Sequence, residues 1–205
     1  MVTSDEIGLR ERKRQQTRYE LIGAAMRLFE EKGYEQTTVA EIAAAAGVST
    51  KTFFNYFPSK DEVLFPHLSN RIDAAVALIE QRRPDDHMAD VLVQAMEHML
   101  SDALAEEVDG GLAAARLPIM SVPAVQAATL HRYYLAETKL ADALHRAYPD
   151  ALDAPAAAAV IGSVMGAALA AALVCLQGGE NTEGLQLAVE HGIDIAIQGV
   201  RNLHV

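Results

Sequence analysis

The chain has 205 residues, 51% of them hydrophobic, a formal net charge of -11, no Trp and one cysteine, Cys175. That length buries a core without staples, a lone cysteine excludes an intrachain disulfide framework, and the abundance of Ala, Leu and Glu favours helices over a sheet. The acidic total would argue against a nucleic-acid partner, because phosphate contacts need local positive charge, yet residues 1–65 carry nine Lys/Arg against ten Asp/Glu and the remainder eight against eighteen. Five of those basic residues, Arg10, Arg12, Lys13, Arg14 and Arg18, lie within Leu9 to Arg18, where Glu11 is the sole acid. The asymmetry permits a DNA-facing N-terminal part and a solvated acidic body. Met1 to Glu6 shows no apolar stretch of the kind that directs export, so a cytoplasmic protein is expected.

In chain order, Leu21, Ile22, Ala25, Leu28 and Phe29 share one face of a half-buried helix that Gly33 ends. Thr38-Val39-Ala40-Glu41 is a capping-box pattern, in which hydroxyl and carboxylate satisfy each other's orphan backbone donors. It predicts a short helix with Val39, Ile42, Ala43 and Ala46 inward. Gly47 supplies a turn, Val48 an apolar plug, and a second short helix runs from Ser49 to Phe57, stopped by Pro58. Ser59-Lys60-Asp61-Glu62 repeats the pattern and predicts a long fourth helix through Val63, Leu64, Leu68, Ile72, Ala75, Val76 and Ile79, fading near Arg83-Pro84. Met88, Val91, Leu92, Ala95, Met96, Met99, Leu100, Ala103 and Leu104 follow the helical template throughout. Gly110-Gly111 breaks that helix, a short one spans Leu112 to Met120, and another runs from Pro123 to Tyr148.

Asp153 and Pro155 start an Ala-rich helix that Gly178-Gly179 closes. Its run from Ala154 to Leu176 is uncharged and long enough for a membrane span, but it lacks Lys/Arg flanks and aromatic belts, so a helix buried on all sides is the reading preferred and no membrane partner is expected. Thr182 is predicted to cap the last helix, whose stripe is Leu185, Ala188, Val189, Gly192, Ile193, Ala196, Gly199, Val200 and Leu203. The expectation is an all-α chain of about nine helices, divided into a DNA-binding domain over 1–65 and a regulatory domain over 66–205, with the fourth helix crossing the boundary.

Two short helices joined by a tight Gly-containing turn have the dimensions of a helix-turn-helix. Thr50, Lys51 and Asn55, with Thr52 and Tyr56 beside them, form the outward face of the second helix and can donate to phosphates or base edges in a major groove. From spacing alone, a helical hairpin used for protein contacts without DNA binding gives the same turn.

The stretch from Arg14 to Phe65 resembles the DNA-binding domain of the tetracycline-repressor (TetR) family, most specifically in Thr37-Thr38-Val39-Ala40-Glu41-Ile42-Ala43-Ala44-Ala45-Ala46-Gly47-Val48-Ser49 and in Phe57-Pro58-Ser59-Lys60-Asp61-Glu62-Val63-Leu64. The resemblance covers about a quarter of the chain. It implies a homodimer on double-stranded palindromic operator DNA, a divergent helical regulatory domain, and repression released by a small-molecule effector. Carried over by position, Thr38, Ser49 and Lys60 would contact phosphates, and Thr50, Lys51, Thr52, Asn55 and Tyr56 would line the recognition helix. Phe54 departs from the pattern, standing where the family often has Tyr, which puts a hydroxyl contact in doubt and leaves apolar contact with a thymine methyl as the alternative. The basic arm at Arg10, Arg12, Lys13 and Arg14 precedes the predicted first helix and is either a solvated tail or a contact to a neighbouring minor groove or phosphate.

Gly162, Gly166, Gly192 and Gly199, with many alanines, offer flat faces for close helix approach and are the candidate dimer interface; the alternative is that these faces meet only within one subunit. Met96, Met99, Met120, Met165 and Tyr134 are candidate pocket residues by position in the family, or ordinary core. Arg116 would pair with an anionic ligand group, or with a carboxylate such as Glu106 or Glu107, or face water. No enzyme is expected: Asp142 with His145 and His87 with Asp90 lack the fuller ligand set of a helical metal site, Ser163 lacks the first glycine of a nucleophile elbow, and no glycine loop cradles a phosphate. No metal or cofactor is predicted.

Overall fold

The helical periodicities read from the sequence are realised as eight α-helices in a computed structural model that describes residues 4–108, 119–178 and 180–201. They are α1 (Ser4–Lys32), α2 (Val39–Ala45), α3 (Thr50–Tyr56), α4 (Leu68–Glu80), α5 (Met88–Val108), α6 (Pro123–Ala147), α7 (Ala154–Gly178) and α8 (Thr182–Arg201). Short 3-10 turns occupy Lys60–Leu64 and Ile119–Ser121. Most of the predicted helix over Leu112 to Met120 lies outside the described residues, as do Gly110, Gly111 and Arg116. The described chain groups into two units, residues 4–66 with 119–128, and residues 67–108 with 129–201.

In the first unit α1 rests on α2 and on the Lys60–Leu64 turn, and α2 rests on α3. Leu21, Ile22, Ala25 and Phe29 from α1 meet a core completed by Ile42, Ala43, Phe53, Phe57, Val63 and Leu64, all buried. Helices of seven residues do not persist alone in water, so α2 and α3 exist because Ile42, Ala43 and Phe53 bury there, each large side chain contributing about 1.5–3 kcal/mol. The Arg18 guanidinium lies 4.6 Å from the centre of the Phe57 ring, adding a cation–π contact at the edge of this core.

Two sequence expectations fail here. The basic segment does not precede the first helix: Arg10, Arg12, Lys13 and Arg14 are exposed residues of α1 itself, which begins at Ser4. Nor is there one long fourth helix. Ser59 makes no side-chain cap bond, the chain forms a 3-10 turn over Lys60–Leu64, Phe65 leaves helical geometry at φ -127, ψ 53, and His67 adopts φ 62 before α4 begins. Proline disfavours the α conformation in the residue before it, so Pro66 accounts for the departure at Phe65.

In the second unit α7 and α8 pair along their lengths, and α5 packs against both α4 and α8. Its core includes Ile72, Ile79, Leu92, Leu140, Leu144, Ile161, Val164, Ile193 and Ile197. The Arg82 guanidinium donates to the Ala147 carbonyl from Nε at 2.8 Å and from Nη2 at 2.5 Å, and lies 4.0 Å over the Tyr148 ring, so it caps α6 from the end of α4. Exposed pairs Asp73–Lys139 (3.1 Å) and Glu80–Arg146 (2.6 Å) flank that contact, each worth about 0–1 kcal/mol. The first turn of α7 is capped by Asp153, whose Oδ1 accepts from Ala156 N at 2.8 Å. The cap of α8 is Asn181 rather than Thr182: its Oδ1 accepts from Gly184 N at 2.9 Å.

One stretch, Ala154–Cys175, is long and apolar enough to cross a membrane, with mean hydropathy 2.2. The expectation that this helix is buried on all sides is not met within one chain. Ala157, Val160, Ile161, Val164 and Met165 face the core, whereas Ala159, Ser163, Ala170, Leu173 and Val174 are exposed.

Candidate nucleic-acid interface

The site is built from the caps outward. Thr38 is the N-cap of α2: its hydroxyl accepts from Glu41 N at 3.3 Å, while Glu41 Oε2 accepts from Thr38 N at 2.8 Å and from the Thr38 hydroxyl at 2.7 Å. Lys32 pairs with the other carboxylate oxygen. The Lys32 hydrogen bond first, and those from Thr38 second, hold the Glu41 carboxyl down at about 2, against an ordinary 4.5. α2 ends in a Schellman motif: Val48 N donates to Ala43 O at 2.9 Å and Gly47 N to Ala44 O at 3.1 Å, with Gly47 at φ 68. Two residues later Ser49 caps α3, its hydroxyl accepting from Thr52 N at 3.1 Å and sharing a 2.9 Å bond with the Thr52 hydroxyl.

These bonds fix which face of α3 turns inward. Phe53 is fully buried, while Thr50, Lys51, Phe54 and Asn55 are exposed and Thr52 and Tyr56 half-buried. The predicted outward face is thus brought together on one side of a rigidly capped helix. Thr38 and Ser49 lie at the N-termini of α2 and α3, exposed, with their hydroxyls engaged in the caps.

Lys60 is placed differently from its predicted role as a phosphate contact. Its ammonium donates to Tyr34 O at 2.7 Å and to Thr37 O at 2.9 Å and sits 4.1 Å from the centre of the Tyr34 ring. Burial lowers its pKa from the ordinary lysine value, opposed by Glu35 and Asp61. Two of its three N–H groups are spent inside the protein, so it acts as a strut between the α1–α2 connection and the turn before α4. Thr37 completes that strut and was missed from sequence: it is buried, and its hydroxyl donates to Gly33 O at 2.8 Å with Leu28 O at 3.2 Å. The doubled threonine at 37 and 38 was the available signal, one for the core and one for the cap.

The C-terminal candidates disperse. Met96 and Met165 are buried in the core of the second unit and Met99 packs against it, whereas Met120 is a half-buried residue of the first unit and Arg116 lies outside the described residues. Tyr134 stands 64% exposed on α6. Three of the four glycines meet their own chain. A Cβ on Gly192 would stand 2.8 Å from Ala167 O, on Gly162 2.7 Å from Glu137 Oε1, and on Gly166 3.7 Å from the Tyr133 hydroxyl. Only at Gly199 does the space lie open, with nothing within 4 Å. Burial, and secondarily the Glu137 charge, pushes the Tyr133 phenol up.

Comparison with known proteins bears on the same residues. Residues 21–65 match the family of bacterial regulatory proteins described as the tetR family. The transcriptional regulator TcmR of Streptomyces glaucescens is 37% identical over 138 residues, 65% of this chain and 61% of TcmR, so the likeness spans under two thirds of that relative. A TetR-family regulator from Mesorhizobium loti superposes with TM-score 0.53 at 20% identity, covering 90% of this chain and 95% of that one. SmeT, a Stenotrophomonas maltophilia repressor solved with triclosan, gives TM-score 0.55 at 18% identity, covering 90% and 91%. The structural likenesses show a shared fold, and the sequence match falls on the capped pair of helices whose outer face stands open. Residues 21–65 thus carry the sequence pattern of the tetR family of bacterial regulatory proteins, on a fold shared with solved members of that family.

Proposed function

We propose that the protein is a transcriptional repressor that binds palindromic operator DNA as a homodimer and is released by a small-molecule effector, residues 1–65 reading DNA and residues 66–205 dimerising and sensing. The observation that carries this reading is the outer face of α3, where Thr50, Lys51 and Asn55 stand exposed on a helix whose rotation is fixed by Phe53 and by the Ser49 cap. Lys51 supplies charge for phosphate, and Thr50 and Asn55 supply directional donors for base edges. The exposed arginines and lysine early in α1 add sequence-independent attraction.

Reading a palindrome requires two such helices about 34–36 Å apart, hence a rigid symmetric contact. The uncovered apolar side chains of the α7–α8 pair, Val174 (69% exposed), Leu187 (61%) and Ile195 (59%), with Gly199 open beside them, favour that pair as the contact. Gly192, against the Ala167 carbonyl of its own chain, supports close packing of α7 on α8 within that contact. For the effector, SmeT carries triclosan on the same fold, and Met96, Met99 and Met165 give the second core adaptable thioethers. A ligand that favours one arrangement of this unit by a few kcal/mol suffices to shift the balance between bound and released states.

The test is operator selection from genomic DNA, followed by anisotropy with specific and bulk competitor. Specific binding is expected for the wild type. The double variant Leu187→Glu, Ile195→Lys should be monomeric by light scattering and lose about a hundredfold or more in operator affinity, as expected when two half-sites are no longer held together. Binding that bulk DNA competes as well as operator would overturn the operator-reading role, absence of DNA binding would leave the protein-interaction reading, and a variant that stays dimeric would place the interface elsewhere.

A further inference from the structure

Phe54 is the exception on the outer face of α3. It is 53% exposed, amid Thr50 and Lys51 one turn before it and Asn55 after it, all polar and all exposed. Its ring is steered: it stands edge-on to the buried Phe53, with centroids 5.5 Å apart and planes at 86°, an aromatic geometry that fixes direction. A phenyl ring half in water contributes little to the fold, and no other exposed large apolar residue lies on α3 to make it part of a protein-sized patch.

We infer that Phe54 is a specificity residue of this helix, reading the 5-methyl group of one thymine in each operator half-site. The inference rests on the DNA-binding reading above and deepens it. Along the major groove every base presents donors or acceptors, and thymine alone adds a 5-methyl group, the apolar feature of the groove floor. Polar neighbours suited to phosphates and base edges surround one apolar ring, so the surface they form together matches a groove wall with one methyl in it. Burying that methyl against the ring discriminates thymine from cytosine at the same position and from uracil, which differs from thymine only by the methyl.

The experiment uses the full chain and the selected operator, with each thymine replaced in turn by deoxyuridine. For the wild type, one position per half-site should weaken binding about fourfold on substitution, the worth of burying one methyl group. Phe54→Ala should bind the thymine and uracil forms equally, with an unchanged thermal midpoint because the ring is exposed. Phe54→Leu, which keeps an apolar tip, should restore part of the preference. Specific binding with no uracil-sensitive position, or sensitivity that persists undiminished in Phe54→Ala, overturns the inference and leaves the regulator assignment standing. Absence of any specific DNA binding overturns both.

Discussion

Between Thr37 and Lys60 the chain is held by directed polar contacts around two helices of seven residues each, whereas α7 and α8, of 25 and 20 residues, meet almost entirely through alanine, glycine and aliphatic side chains. The contrast follows from length. A seven-residue helix cannot repay its nucleation cost, so it needs caps at Thr38 and Ser49, a Schellman closure at Gly47 and the Lys60 strut. Twenty residues of apolar stripe need only close approach, and Gly192 under the Ala167 carbonyl provides it. The first arrangement presents a fixed surface; the second leaves a smooth apolar one.

Adding one methyl group in each region tests whether the distinction is real. Gly192→Ala places a Cβ against a backbone carbonyl that cannot rotate away, and should destabilise the protein by about 1–3 kcal/mol in chemical denaturation. Gly199→Ala, in the same helix with open space around it, should instead stabilise the isolated chain by up to about 1 kcal/mol through helix propensity. Equal effects at the two positions would show that close helix approach is not what Gly192 supplies. Gly47→Ala meets no neighbour either, but it forces a left-handed conformation on alanine, so a loss of about 1 kcal/mol is expected, the strain being partly offset by the lower entropy of the unfolded chain.

The smallest effect is electrostatic. Because the Glu41 carboxyl sits at about 2 in the fold, its bonds to Lys32 and Thr38 stabilise α2 fully above the ordinary 4.5 and lose that contribution as pH falls towards 2. Glu41→Gln should therefore unfold more readily than wild type at neutral pH and match it near pH 2. Denaturation midpoints followed across that range check it, and a difference that does not shrink with acid would assign the cap to geometry alone.

Local patterns were readable wherever one segment decides its own shape. The Thr38–Glu41 box, the Gly47 turn and the stripes of α5 and α8 are short-range signals, and the helices stand where those signals put them. What escaped depended on competition or on distance. The Ser59–Glu62 letters match a capping box, but Pro66 overrules them by pushing Phe65 out of helical geometry. Lys60 looks like a solvent-exposed cation until the chain folds its two carbonyl partners, 26 and 23 residues away, into reach. A glycine in a helix announces close approach without naming the neighbour, which is why Gly192 pointed to a partner subunit although the backbone it approaches here is that of α7. Residues separated by so much chain leave no periodic trace.

The closure at Gly47 also makes the connection count residues. With Val48 tied back to Ala43 and Ser49 already capping the next helix, the link between α2 and α3 holds no slack. One residue more or fewer there would either break those bonds or turn α3 by about 100° about its axis, rolling Phe53 out to water and Lys51 away from whatever it faces. On the DNA-binding reading, exchanging single side chains on the outer face would alter what is read, while a change of length would alter whether anything is read.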